Sequence, residues 1–138
     1  MSNAAVDQAR RLIGIRFRAQ GRDPVLGLDC LGLAIAAYRI EDSGIRRDYR
    51  LSGHHRAELV AGLSRYFRRI ARSRRRPGDL MLIFIGERHW HLGIVTETGF
   101  IHADTRRGRV VETPGEPPWR IAALFRMRVR PIAERGAN

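Results

Sequence analysis

The sequence predicts an α+β domain in which N-terminal helices pack on a C-terminal antiparallel β-sheet. Three observations predict it. Apolar residues recur at helical spacing in the first half of the chain. In the second half they fall in short runs bounded by turn residues. The change of character sits at one turn, Pro77-Gly78-Asp79. Helices first and strands second argue for α+β, because alternating units would give a parallel sheet. The 138 residues show no repeat and no long linker, so one core is expected. The domain is read as residues 5–130, with 131–138 as a flexible tail.

Val6, Ala9, Leu12 and Ile13 mark a helical stripe over residues 5–13, which Gly14 ends. Residues 15–18 are ambiguous, and 21–27 read as a Gly/Pro/Asp loop. From Cys30 to about Ile40 the chain is apolar on every side, predicting a buried central helix. Residues 42–55 are polar and turn-rich. Leu59, Leu63, Phe67 and Ile70 predict a third helix over residues 56–71. After the turn, 80–85 reads as a buried strand, followed by strands at 90–96, 99–104, 108–113 and 121–129. Gly86-Glu87-Arg88 and Glu97-Thr98-Gly99 are the turns between them, and residues 114–118 form a stiff loop.

All 26 basic side chains are arginine, and the formal net charge is +12. Such a charge attracts polyanions: nucleic acid, an acidic membrane surface or a wall polymer. No helix-turn-helix, zinc-finger or RNA-recognition signature accompanies it, so specific nucleic-acid binding is not expected. No apolar run approaches the ~20 residues of a membrane span. The N-terminus carries no secretory signal, so synthesis in the cytoplasm without a signal peptide is expected. The single cysteine excludes an internal disulfide framework and leaves a free thiol.

That cysteine, Cys30, lies between a Gly/Pro loop and an apolar helix, hence in a first helical turn. Unpaired N–H groups and the helix dipole favour an anion there and lower a thiol pKa, but taken alone this segment fits better a buried cysteine that acts as a small hydrophobe. The candidate bases lie on the strands. His89 and His91 share one face, and across the hairpin His91 and His102 can approach each other. A thiol, an imidazole and a second imidazole to orient the first suit nucleophilic catalysis. His89-x-His91 with His102 and Asp104 is a competing zinc reading, but it leaves the placement of Cys30 unexplained. No metal and no cofactor is expected. His89 is read as a rim residue, and His54 and His55 as incidental.

Asp29-Cys30-Leu31-Gly32-Leu33, Pro77-Gly78-Asp79-Leu80, His91-Leu92-Gly93-Ile94-Val95 and Phe100-Ile101-His102-Ala103 occur in that order. Together, over residues 9–128, they resemble the ordered motifs of the NlpC/P60 cysteine peptidases, most of all the phage-type members of tail and gene-transfer-agent clusters. The resemblance implies a papain-like fold, with Cys30 as nucleophile, His91 as general base and then acid, and His102 as its orienter. Asp29 would lie in the substrate groove, where relatives bind a stem-peptide amine. Two positions depart from the family pattern: Leu31 where serine is common and Phe17 where tyrosine is common. Both would touch substrate, so the form of the substrate is left open. The implied reaction is hydrolysis of peptidoglycan stem peptides, commonly the D-γ-glutamyl–diaminopimelate bond. The implied setting is a phage-like particle acting at the cell wall beside tail-tip proteins. The alternative is a non-catalytic tail-tip or assembly protein that keeps the fold.

Overall fold

The computed structural model describes residues 3–40, 56–85 and 89–128. The turn-rich 42–55 segment with His54 and His55, the 86–88 turn and the 131–138 tail lie outside the described residues.

Helix α1 (Ala4–Arg11) starts at Asn3, whose side-chain oxygen accepts from the N–H groups of Ala5 and Val6. A short hairpin, β1 (Arg22–Asp23) and β2 (Gly27–Leu28), leads into α2 (Cys30–Tyr38). Helix α3 (Arg56–Ser64) precedes six strands: β3 (Phe67–Ile70), β4 (Leu80–Ile85), β5 (His89–Val95), β6 (Gly99–Asp104), β7 (Arg109–Pro114) and β8 (Arg120–Met127). The strands form one antiparallel sheet in the order β3-β8-β4-β5-β6-β7.

Strand alternation divides the apolar residues between two faces. Leu82, Leu92, Ile94, Ile101 and Phe125 pack with Leu31 and Leu33 of α2. Met81, Ile83, Val95, Phe100 and Leu124 form a second cluster. Helix α2 is buried on nearly all sides, as its uniformly apolar sequence requires.

Two expectations are corrected. The third helix ends at Ser64, and Phe67–Ile70 is a strand paired with β8. Phe67 and Ile70 fit helical spacing, but as the two ends of a four-residue strand they enter opposite cores. The 21–27 loop is a hairpin, and the ambiguous 15–18 segment ties it to the sheet. Phe17 N–H donates to Gly108 O at 2.8 Å, and Leu28 N–H donates to Arg16 O at 2.9 Å.

The Pro77-Gly78-Asp79 turn is a structural junction. Asp79 is buried, and its carboxylate accepts from Arg126 Nε at 2.8 Å and Nη2 at 3.0 Å. It also accepts the Arg76 N–H, and Tyr38 donates its hydroxyl to Gly78 O at 2.8 Å. The turn therefore locks α2 to the sheet, which fixes Cys30 against β5.

Candidate active site

Asp29 is the N-cap of α2, accepting the Gly32 N–H at 2.8 Å through Oδ1. Its Oδ2 accepts the Gln20 N–H at 3.1 Å, and Arg22 Nη1 reaches Oδ1 at 3.3 Å. Gln20 holds a left-handed backbone (φ 59°), a strained conformation stabilised by this bond. Gly32 has no alternative at its position, because a Cβ would overlap the carbonyl oxygen of Gly21. The cap, the strained turn and the glycine together press the 17–22 segment onto the first turn of α2.

Cys30 opens α2 and is 3% exposed. The N–H groups of Leu92, Leu31 and Cys30 itself are directed at its sulfur. Leu92 follows His91 in β5, so the thiol sits beside that histidine's backbone. The described pairing of β5 with β6 holds Ile94 opposite Ile101 and Val95 opposite Phe100. Extended further, that register sets His91 opposite Asp104 and diagonal to His102.

The diagonal approach brings His91 Nε2 to 2.9 Å from His102 Nδ1. His102 Nε2 lies 3.1 Å from Thr113 Oγ1 on β7. In one of the two tautomer sets that satisfy the line, His91 Nε2–H donates to His102 Nδ1, and His102 Nε2–H donates to Thr113 Oγ1. His91 Nδ1 is then an acceptor. Trp119 covers the pair, its ring centroid 6.3 Å from that of His91 and 6.4 Å from that of His102.

These groups line one cleft of about 990 Å³ that contains Cys30, His91, His102, Asp29, Phe17 and Trp119. His89 is exposed on its rim. Leu31 is not part of it. That side chain is fully buried in the helix-face core, so the expectation that it fronts substrate is corrected.

Burial sets the electrostatics. It pushes the Cys30 thiol up, and the Asp29 carboxylate adds to the effect. This reverses the expectation of a lowered thiol pKa, because desolvation outweighs the helix N-terminus. His91 is pushed down to about 3, first by burial and then by His102, with Asp104 opposing. Burial also lowers His102. At neutral pH the resting site is therefore a neutral thiol beside neutral imidazoles. Among the described residues, no group of three or more His, Cys, Asp or Glu is placed to hold a metal ion.

Thr113, Trp119, Arg106 and Arg107 also line the cleft and were missed in the sequence. The signal for Trp119 was weak, a residue following the Pro117-Pro118 pair. Thr113 had only its strand parity.

A model of the NlpC/P60 family matches residues 14–128. The Escherichia coli K12 protein "Murein DD-endopeptidase MepS/Murein LD-carboxypeptidase" is 30% identical over 116 residues, covering 83% of this chain and 56% of that protein. The chain thus spans about half the length of the curated relatives it matches. The NlpC/p60 domain of the peptidoglycan hydrolase SagA superposes with a TM-score of 0.58 at 24% identity, covering 82% of this chain and 90% of that one. The peptidoglycan hydrolase RipB of Mycobacterium tuberculosis gives 0.61 at 19% identity, covering 89% and 62%. The fold is the papain-like α+β fold shared by these domains.

Proposed function

This chain belongs to the NlpC/P60 family of cysteine peptidases, and we propose that it hydrolyses the peptide stems of bacterial peptidoglycan through an acyl-enzyme on Cys30. The observation that carries the reading is the line His91–His102–Thr113, which ends in the same cleft as Cys30.

The thiol attacks the scissile carbonyl carbon while its proton passes to His91 Nδ1. Because both groups rest neutral, this transfer accompanies attack. His102 holds the His91 ring and stabilises the imidazolium as it forms. The Cys30 and Leu31 N–H groups, directed at the sulfur at rest, are the donors we assign to the developing oxyanion. The imidazolium then protonates the leaving amine, and water, activated by His91, releases the acyl group. Asp29 and Phe17 border the substrate.

The substrate class is supported by the names of the relatives: a murein endopeptidase and carboxypeptidase, and peptidoglycan hydrolases. We read the bond as D-γ-glutamyl–diaminopimelate and the setting as a phage tail or gene-transfer-agent particle, on the motif resemblance. Digestion of purified sacculi, with mass spectrometry of the released peptides, tests the activity and the bond together. Release of peptides with an N-terminal diaminopimelate, leaving L-alanyl-D-glutamate on the glycan, is expected. Cleavage only at D,D cross-links or at stem C-termini would move the bond. No release would end the reading.

A further inference from the structure

We infer that the turn between β6 and β7 is a carboxylate-binding site at the mouth of the cleft, with Arg106 as its donor. The ligand class is a peptide with a free carboxylate near its scissile bond. The inference deepens the peptidase reading and rests on it.

The turn is built and held. Asp104 Oδ1 accepts the Arg106 N–H at 2.9 Å, and Gly108 supplies the positive φ of 68° that returns the chain to β7. Arg106 and Arg107 both line the cleft that holds Cys30 and His91. Arg107 Nε stands 3.9 Å from Asp104 Oδ2. Among the described residues, Arg106 has no carboxylate within ion-pair distance. The cleft's other carboxylate, Asp29, is matched by Arg22, each of those side chains about one-tenth exposed. With the imidazoles neutral, the charge left over among the described residues of the cleft is positive and sits on the turn. The rest of the wall is largely apolar, with Phe17 and Trp119 prominent. A substrate carboxylate is the group that gains there, and a guanidinium fork can hold both its oxygens.

The test uses two synthetic stem peptides that differ only in one carboxylate beside the scissile bond, free in one and amidated in the other. Two readouts are taken: kcat/KM with the wild-type protein, and calorimetric affinity for the Cys30→Ala variant. The free acid should be favoured about five- to tenfold in both, since the donor is exposed. Arg106→Gln should bring the acid-to-amide ratio near one, and Arg106→Lys should restore part of it. Equal affinity for the two forms, binding of neither, or a preference that survives Arg106→Gln overturns the site. If wild type hydrolyses neither peptide, the peptidase reading falls, and the Cys30→Ala affinities still decide the carboxylate site.

Discussion

His91 Nε2 stands 2.9 Å from His102 Nδ1, and the contact is diagonal across two strands whose pairing ends just before it, at Ile94 and Ile101. A directly opposed pair would need its backbones in register. The diagonal contact bridges β5 and β6 where their pairing has ended, in the cleft that also holds Cys30. The line continues to Thr113, so the tautomers of the two imidazoles are set together.

That chain ranks three substitutions. His91→Ala removes the proposed base and should lower kcat/KM by about a thousandfold or more. His102→Ala leaves the base unoriented and should cost about ten- to a hundredfold. Thr113→Val removes one neutral hydrogen bond at the far end and should cost about fivefold. Rates on sacculi, with circular dichroism to check the fold, measure the series. Equal losses for His91→Ala and His102→Ala would mean the pair acts as one unit.

The thiol should behave as a buried neutral group. Alkylation of Cys30 by iodoacetamide should be slow at pH 7 and accelerate as pH rises, because burial and Asp29 hold the thiol above its ordinary value. EDTA should not affect turnover. Cys30→Ala should abolish hydrolysis and leave the fold intact. A fast alkylation rate that stays flat down to acid pH would indicate a preformed ion pair and refute the neutral resting state.

His91 also links stability to pH. Its folded pKa, about 3, lies below the unfolded value near 6.5. Between these values the unfolded chain binds the proton and the folded chain does not. The contribution is therefore full above about pH 6.5 and is lost as pH falls toward 3. His102, lowered in the same direction, adds to the loss. Thermal melts of wild type and His91→Leu across this range should diverge in slope, with the variant flatter. Parallel curves would show that His91 is not desolvated in the fold.

The residues of the candidate site were more legible in the sequence than their surroundings, for a physical reason. Cys30, His91 and His102 are chemically distinctive and lie on elements whose spacing is local. The neutral thiol was not legible, because desolvation depends on the α2–β5 packing that the Pro77-Gly78-Asp79 turn enforces. Strand β3 was not legible either. Leu59, Leu63, Phe67 and Ile70 satisfy a helical period, and no glycine or proline separates Ser64 from Phe67. What makes Phe67–Ile70 a strand is the edge of β8, almost sixty residues away. The resemblance puts Leu31 in the groove, at the position after Cys30 where serine is common, but successive helical residues point about 100° apart. Leu31 therefore enters the core.

Gly32→Ala tests the seam between the 17–22 segment and α2. In an exposed helix this change would stabilise by roughly 1 kcal/mol. Here the added methyl meets the Gly21 carbonyl oxygen, a backbone atom that cannot rotate away. A net loss of about 1–3 kcal/mol is expected. Turnover should drop as well, since Phe17 and Gln20 shift with the loop. Chemical denaturation and sacculus assays read the two effects, and a stabilised, fully active variant would contradict the close approach.

Arg22 and Asp29 carry the last prediction, about which end of the stem the cleft can accept. Asp29 is the carboxylate that a free stem amine would seek beside the nucleophile. In this chain its Oδ1 already receives the Gly32 N–H and the Arg22 guanidinium, and its Oδ2 receives the Gln20 N–H. Phe17 adds no hydroxyl on that side. An incoming ammonium would have to compete with Arg22 for a charge that is already matched. The wild-type protein should therefore cleave stems with a blocked amine, such as those still attached to glycan, at least as fast as free-amine stems. Arg22→Gln removes the guanidinium from Asp29 Oδ1 and keeps the Gly32 and Gln20 N–H donors. It should shift the ratio toward the free amine by about tenfold, the scale of one charge-assisted hydrogen bond. The cap itself is retained, so the fold should survive with a modest loss of stability. Paired kcat/KM measurements on N-acylated and free-amine stems decide the matter. A wild-type preference for the free amine, unchanged by Arg22→Gln, would mean that Arg22 does not govern the site.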